Sequence, residues 1–386
     1  MPGAAPSAIE AGIRSRDPRA SDPARSYGPG PGRAILPRMA ADHVFDPSAL
    51  DTSGLGEAPE RDFETSLRPE NLSEFIGQER AIDNLRVALT AARARNEPPD
   101  HLLLSGPPGL GKTSLARVLA GELGSRFHST SGPACERARD LVGILSQLER
   151  GDVLFIDEIH RVPIAVEEYL YTAMEDYSVE FTLDSGPHAR VMTLGLKPFT
   201  LIGATTREGL LSAPFRARFG LLERLDPYPA QELVAILERS AAILGVKLDA
   251  DGARMLAERS RGTPRIANRF LRRARDLAQV AGHSSVGLDV ASEALERMGI
   301  DADGLEEMDR RILSCLARNQ GNPIGLKTIA AAVSETEDTI EEVFEPHLLR
   351  CGYLQKTARG RILTARGRAL IGAPVDDTSS QDDLFD

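Results

Sequence analysis

The stretch GPPGLGKT, Gly106 to Thr113, constrains the fold of this chain more than any other part of it. It follows three leucines that read as a buried strand, and it opens TSLARVLAGEL, whose apolar spacing is that of a helix. Strand, glycine-rich loop and helix in that order satisfy G-x-x-x-x-G-K-[ST], a cradle for nucleotide phosphates. Gly106, Gly109 and Gly111 let backbone N–H groups close around phosphate, which the start of the helix also favours. Lys112 is expected to reach the β and γ phosphates, Thr113 to offer its hydroxyl to Mg²⁺, and Ser114 to complete the cradle. ATP and Mg²⁺ are therefore the expected cofactors.

About 40 residues further on, DVLFIDEIH is an apolar strand ending in two carboxylates. At the C-terminal edge of a parallel sheet these stand beside the phosphates. Asp157 is suited to the metal and Glu158 to polarising the attacking water, so the pattern points to hydrolysis rather than binding alone.

Between residues 65 and 227, HLLLS, RFHSTSG, DVLFIDE, FTLIGATT and LLERLD alternate with helical patterns, which predicts a parallel α/β sheet with crossover helices. One interruption, 179–196, has two β-rich arms around Ser-Gly-Pro and reads as an inserted hairpin. Residues 228–300 carry only helical patterns. From 301 to 372, three predicted helices precede YLQKTARGRILT, two β-capable arms around a turn, which together describe a winged helix. Residues 1–64, rich in Pro, Gly, Ala and Ser, are expected to be a disordered extension and linker, with Met39 a natural alternative start. Residues 373–386 form an acidic tail.

The net charge of −11 argues against a nucleic-acid partner only if its distribution is ignored. Between Pro346 and Leu370 stand six basic residues and no acidic one, while the last thirteen residues hold five aspartates. Cys135, Cys315 and Cys351 are odd in number and far apart, which fits neither a disulfide framework nor a metal site. No apolar run is long enough for a membrane span and no secretory signal is apparent, so a cytoplasmic, membrane-free protein is expected.

With the P-loop, LFIDE, GATT, ARFG and GTPR in this order, the chain resembles the AAA+ ATPases. Over about residues 64–372 it is similar to the RuvB family of Holliday junction branch migration motors. LRPENLSEFIGQ, ERGDVLFIDEIHR, PFTLIGATTREGLLSAPFRARFG, RSRGTPRIANR and GYLQKTARGRILT carry that resemblance. It implies an AAA+ P-loop parallel-sheet domain, a small helical lid and a C-terminal winged helix. Thr206 would be the sensor beside the γ-phosphate, Arg218 the arginine finger acting on a neighbouring subunit's ATP, and Arg265 the second sensor. Leu67, Arg68, Glu175, Asp176, Tyr177 and Tyr228 would line the nucleotide pocket.

The resemblance further implies duplex DNA contacts from Lys356, Arg359 and Arg361 on the wing. Val179, Phe181, Leu183, Val191, Met192 and Leu194 of the hairpin would dock the junction-binding partner RuvA. A homohexameric ring and a RuvC-type resolving nuclease follow from the same resemblance, and the ending QDDLF is similar to a sliding-clamp peptide. Three other classes compete. A protein unfoldase needs an aromatic pore loop, yet Phe127 is the only Phe, Tyr or Trp between Ser114 and Arg150. A clamp loader needs a helical collar in place of the wing. An initiator of the Orc/Cdc6 type shares the ATPase and winged helix but would hold duplex without translocating.

Overall fold

The computed structural model describes residues 63–182, 191–319 and 321–373. The extension up to residue 62, Leu183 with the hairpin turn, and the tail with QDDLF lie outside the described residues.

Five strands, β1 Leu102–Ser105, β2 Phe127–Ser131, β3 Val153–Asp157, β6 Thr200–Thr205 and β7 Leu221–Arg224, form one parallel sheet in the order β2-β3-β6-β1-β7. The central strands β1 and β6 are buried along their whole length, because helices cover both faces. Successive residues point to opposite sides. Leu102 and Leu104, with Phe155 and Ile202, pack toward helices Glu79–Arg95 and Lys112–Leu123. Leu103, with Leu154, Ile156 and Leu201, packs toward helices Ala138–Leu145 and Ile164–Glu175.

The inserted hairpin is β4 Ser178–Thr182 against β5 Val191–Gly195, antiparallel and separate from the main sheet. Four helices follow, Ala230–Ile243, Ala250–Arg259, Pro264–Ala281 and Leu288–Arg297, and share the first core with one face of the sheet. Pro264, at the start of its helix, sacrifices no intrahelical hydrogen bond there.

The last unit has its own core around Ile312, Ile329, Leu348 and Tyr353. Helices Glu307–Ala317 and Leu326–Val333 lead to the helical segment 337–350, whose middle turn, Ile340–Phe344, is π-helical. The wing is β8 Leu354–Thr357 against β9 Gly360–Leu363, and Arg361 also bridges to Ile324. Among the described residues, no helix is long and apolar enough to cross a membrane.

Arg261 joins the helical lid to the winged helix. Its backbone is left-handed (φ 56°), and its buried guanidinium lies 2.6 Å from the fully buried Asp309 carboxylate and donates to Gly304 O at 2.9 Å. Arg350 returns a hydrogen bond to Arg261 O at 2.5 Å. Asp309→Ala removes the nearer, fully buried partner of the Arg261 charge and leaves only Glu306 at 3.5 Å, which costs about 3 kcal/mol. Denaturant unfolding is expected to show that loss; an unchanged midpoint would contradict the role assigned to this pair.

Candidate active site

The loop between β1 and helix Lys112–Leu123 holds Gly106, Gly109 and Gly111 at φ 140°, 78° and 100°. A side chain would not fit at two of them. A Cβ on Gly106 would meet Leu225 O at 2.5 Å, and one on Gly109 would meet Thr263 Cγ2 of the lid at 2.7 Å. Beneath the loop Lys112 is buried, and its ammonium donates to Gly106 O at 2.8 Å and Pro107 O at 3.0 Å. Burial pulls its pKa below the ordinary lysine value, against the opposing pull of Glu158 and Asp157.

A cavity of about 250 Å³ opens between loop and lid. Leu67, Arg68, Gly109, Gly111, Lys112 and Thr113 line it, as do Ser114, Asp157, Glu158, Tyr228 and Arg265. It has two ends. Leu67, Ile76, Ile236 and Pro264 make an apolar slot suited to a base, while the loop, Lys112, Thr113 and Asp157 make a polar end suited to phosphates. The Thr113 hydroxyl and Asp157 carboxylate border the same space, an all-oxygen donor pair that fits Mg²⁺.

Tyr228 is buried, donates to Leu110 O at 3.3 Å, and has its phenol pKa pushed well up by burial. Glu64, Arg239 and Asn268 are among the cavity residues not anticipated from sequence. Glu64 accepts both arms of Arg265 at 2.7 and 2.8 Å, although composition had assigned it to the disordered linker. Arg239, on the first lid helix, donates to Leu67 O at 2.8 Å and Arg68 O at 3.2 Å and pairs with Glu74 at 3.1 Å, tying the lid to the segment that borders the slot. Asn268 stands on the helix that also carries Arg265.

Glu158 is left-handed (φ 47°), a strained conformation of the kind that concentrates at functional sites. Its Oε2 accepts from the Thr206 hydroxyl at 3.2 Å and lies 3.2 Å from His160 Nδ1, which is 2.9 Å from the Thr205 hydroxyl. Desolvation lowers the His160 pKa while Glu158 raises it. His160, two positions after Glu158 in DEIHR, was the signal available in sequence.

Glu175, Asp176 and Tyr177, expected to line the nucleotide pocket, do not border this cavity, and neither does Arg218, expected to serve a neighbouring subunit's ATP. Glu175 ends helix Ile164–Glu175, and its carboxylate lies 3.3 Å from Arg218, whose guanidinium also donates to Pro214 O at 2.8 Å and sits 4.2 Å over the Tyr171 ring. Asp176 is exposed, while Tyr177 packs edge-on against Phe199.

On the wing, Lys356 and Arg359 are exposed. Arg361 is not: it is buried, and Glu345 takes its Nε at 2.6 Å and its Nη2 at 3.0 Å. Bridging to Ile324 makes β9 an inner strand and holds Arg361 against the helical segment, so its guanidinium is already spent inside the domain. In the hairpin, Val179 is fully buried in the core and unavailable for docking, whereas Met192 is exposed and Leu194 half-buried. The side chains of Phe181 and Val191 are not described.

Three family models match in succession: the Holliday junction DNA helicase RuvB P-loop domain over residues 67–225, the RuvB AAA lid domain over 228–301, and the RuvB C-terminal winged helix domain over 302–372. The chain belongs to the RuvB family. It is 53% identical to the RuvB branch migration complex subunit of Chlorobaculum tepidum over 339 residues, 88% of this chain and 97% of the relative. The corresponding Myxococcus xanthus subunit is 57% identical over 304 residues, 78% and 89% of the two chains. The solved structure of the Thermotoga maritima RuvB branch migration motor, 46% identical, superposes with a TM-score of 0.74 over 81% of this chain and all of that one. The initiator reading gives way to this match across all three domains, and the P-loop domain is that of an ATPase.

The Gly109 contact with the lid yields a direct test. In Gly109→Ala the loop relaxes out of its left-handed conformation, and nucleotide must restore it at a cost of about 1–2 kcal/mol, about a tenfold loss of affinity. Titration with a fluorescent ATP analogue is expected to show this with the circular dichroism spectrum unchanged. Wild-type affinity would mean that the loop is not the phosphate cradle.

Proposed function

We infer that this chain is the ATP-driven motor of Holliday junction branch migration in DNA recombination and repair. The observation that carries the reading is the uninterrupted RuvB match from the P-loop through lid to wing, aligned over nearly the whole length of relatives that bear that name.

The cleft supports the following roles. Bound Mg²⁺, held by Thr113 and Asp157 with the phosphates, would neutralise charge on the β and γ phosphates. Lys112 exchanges the carbonyls of Gly106 and Pro107 for phosphate oxygens. Glu158, positioned by Thr206 and His160, orients and polarises the attacking water. Leu67, Ile236 and Tyr228 exclude solvent around the base, and Arg265 exchanges Glu64 for phosphate. Arg218 and the 175–177 segment lie outside their own cleft, which supports a site completed across a subunit boundary, with Arg218 supplied in trans. Such a finger is worth about 10³–10⁵ in rate.

A homohexameric ring that docks RuvA through the exposed part of the hairpin, Met192 foremost, is consistent with that division. Duplex contact falls to Lys356 and Arg359, which face solvent. Backbone contacts suffice, since a motor must travel over any sequence. Sliding a junction breaks about one stacked step, roughly 1.4 kcal/mol, for each one formed, so ATP supplies direction rather than melting energy.

With RuvA and ATP the protein is expected to migrate a synthetic four-way junction, and Lys112→Ala to abolish migration; normal migration by that variant would refute the coupling. Replacing both Lys356 and Arg359 with Ala is expected to weaken duplex binding on every sequence and to flatten the salt dependence by about two contacts of roughly 0.9 each. Fluorescence anisotropy across a salt series measures both, and an unchanged slope would move the DNA contact elsewhere.

A further inference from the structure

The π-helical turn Ile340–Phe344 of the winged helix lies against the loop that carries Thr206. Single π turns are uncommon and cluster at functional sites. This one presents Glu341 and Glu342 side by side to Arg207, at 3.3 and 3.0 Å, with Asp338 at 3.3 Å on the same guanidinium. Arg161 stands 3.8 Å from Glu342.

Glu341 differs from its acidic neighbours in being divided between two domains. Its Oε2 faces Arg207 of the ATPase domain, and its Oε1 accepts from the Lys356 ammonium of the wing at 2.9 Å. We propose that Glu341 is the positioning residue through which duplex contact at the wing is felt at the hydrolysis site. The inference rests on the reading of the wing as the duplex-binding element.

Arg207 follows Thr206, whose hydroxyl holds Glu158, and its own backbone N–H donates to the Thr205 hydroxyl at 3.0 Å. Four side chains therefore separate a phosphate on the wing from the carboxylate that polarises water: Lys356, Glu341, Arg207 and Thr206. A DNA phosphate that takes the Lys356 ammonium leaves the Glu341 charge to Arg207 and to the buried Arg361 at 3.5 Å, which strengthens its pull on Arg207 and draws the 205–207 peptides toward the winged helix. Arg361 cannot play this part, although its Nη2 reaches Glu341 at 3.5 Å, because it is buried and the two oxygens of Glu345 hold its Nε and Nη2 inside the domain. Lys356 can, because it is exposed and its partner is shared. The Lys356 ammonium also holds the Glu341 carboxyl below the ordinary range, so the carboxylate remains charged near neutrality. Linkage makes the effect reciprocal: whatever tightens Arg207 on Glu341 also releases Lys356 for DNA.

The test uses the full chain, linear duplex DNA, and the rate of ATP hydrolysis with and without it. In E341Q the stimulation by duplex is expected to fall about fivefold or more, the lower end of typical coupling between sites. Duplex is also expected to bind more tightly, because Lys356 has lost the nearer of its two internal competitors, with Glu345 remaining at 3.8 Å; a merely structural lesion would weaken binding instead. Arg207→Gln is expected to lose the same stimulation without the gain in affinity. E341Q that retains wild-type stimulation overturns the proposal and leaves the motor reading standing. A wild-type protein whose hydrolysis ignores duplex overturns both.

Discussion

Register between neighbouring parallel strands is the constraint from which the rest of the molecule follows. Ser105 pairs with Thr205 and Ile156 with Gly203, so β1, β6 and β3 end together at one edge of the sheet. Gly106 and Thr206 directly follow β1 and β6, and Asp157 is the last residue of β3. The phosphate loop, Thr206 and the acidic pair thus meet at one sheet edge, although about 50 residues separate each from the next in sequence. A slip of one residue in any of these strands would exchange the side chains packed on its two covered faces and disperse the site.

The cations of the cleft, of the expected finger and of the wing share a second property: each already has an internal partner. Lys112 rests on two carbonyls, Arg265 on Glu64, Arg218 on Glu175 and the Tyr171 ring, and Lys356 on Glu341. The exposed ion pairs among these, Arg265 with Glu64 and Lys356 with Glu341, contribute about 0–1 kcal/mol, far less than a charged phosphate gains in a dry cradle. The arrangement fixes where each cation waits and leaves it cheap to displace. Arg361 with Glu345 and Arg261 with Asp309 are the contrasting case: buried, held by short contacts, and part of the frame that carries the wing.

Most of the fold was legible because its signals are local. The P-loop is defined by eight consecutive residues, the five strands by short apolar runs, the hairpin and wing by paired arms around a turn. What sequence could not supply depends on contacts distant along the chain. Arg361 reads as a wing cation until Glu345 is brought against it, and Val179 reads as a docking residue until the core encloses it. Composition assigned Glu64 to a linker because nothing nearby announces Arg265, some 200 residues away. Arg239 carried no motif at all; only the fold shows that its guanidinium ties the lid to the carbonyls of Leu67 and Arg68. Glu175 and Tyr177 stand at the end of a helix that leads away from their own cleft, which a linear pattern does not encode.

The central claim is that hydrolysis at one cleft needs Arg218 from another copy of the chain. The measurement that bears on it most directly is the ATPase rate per subunit as protein concentration is raised from the dilute limit. The account predicts a rate that starts near the slow intrinsic value and climbs as rings assemble. A rate per subunit that is high and constant from the most dilute sample onward would contradict it.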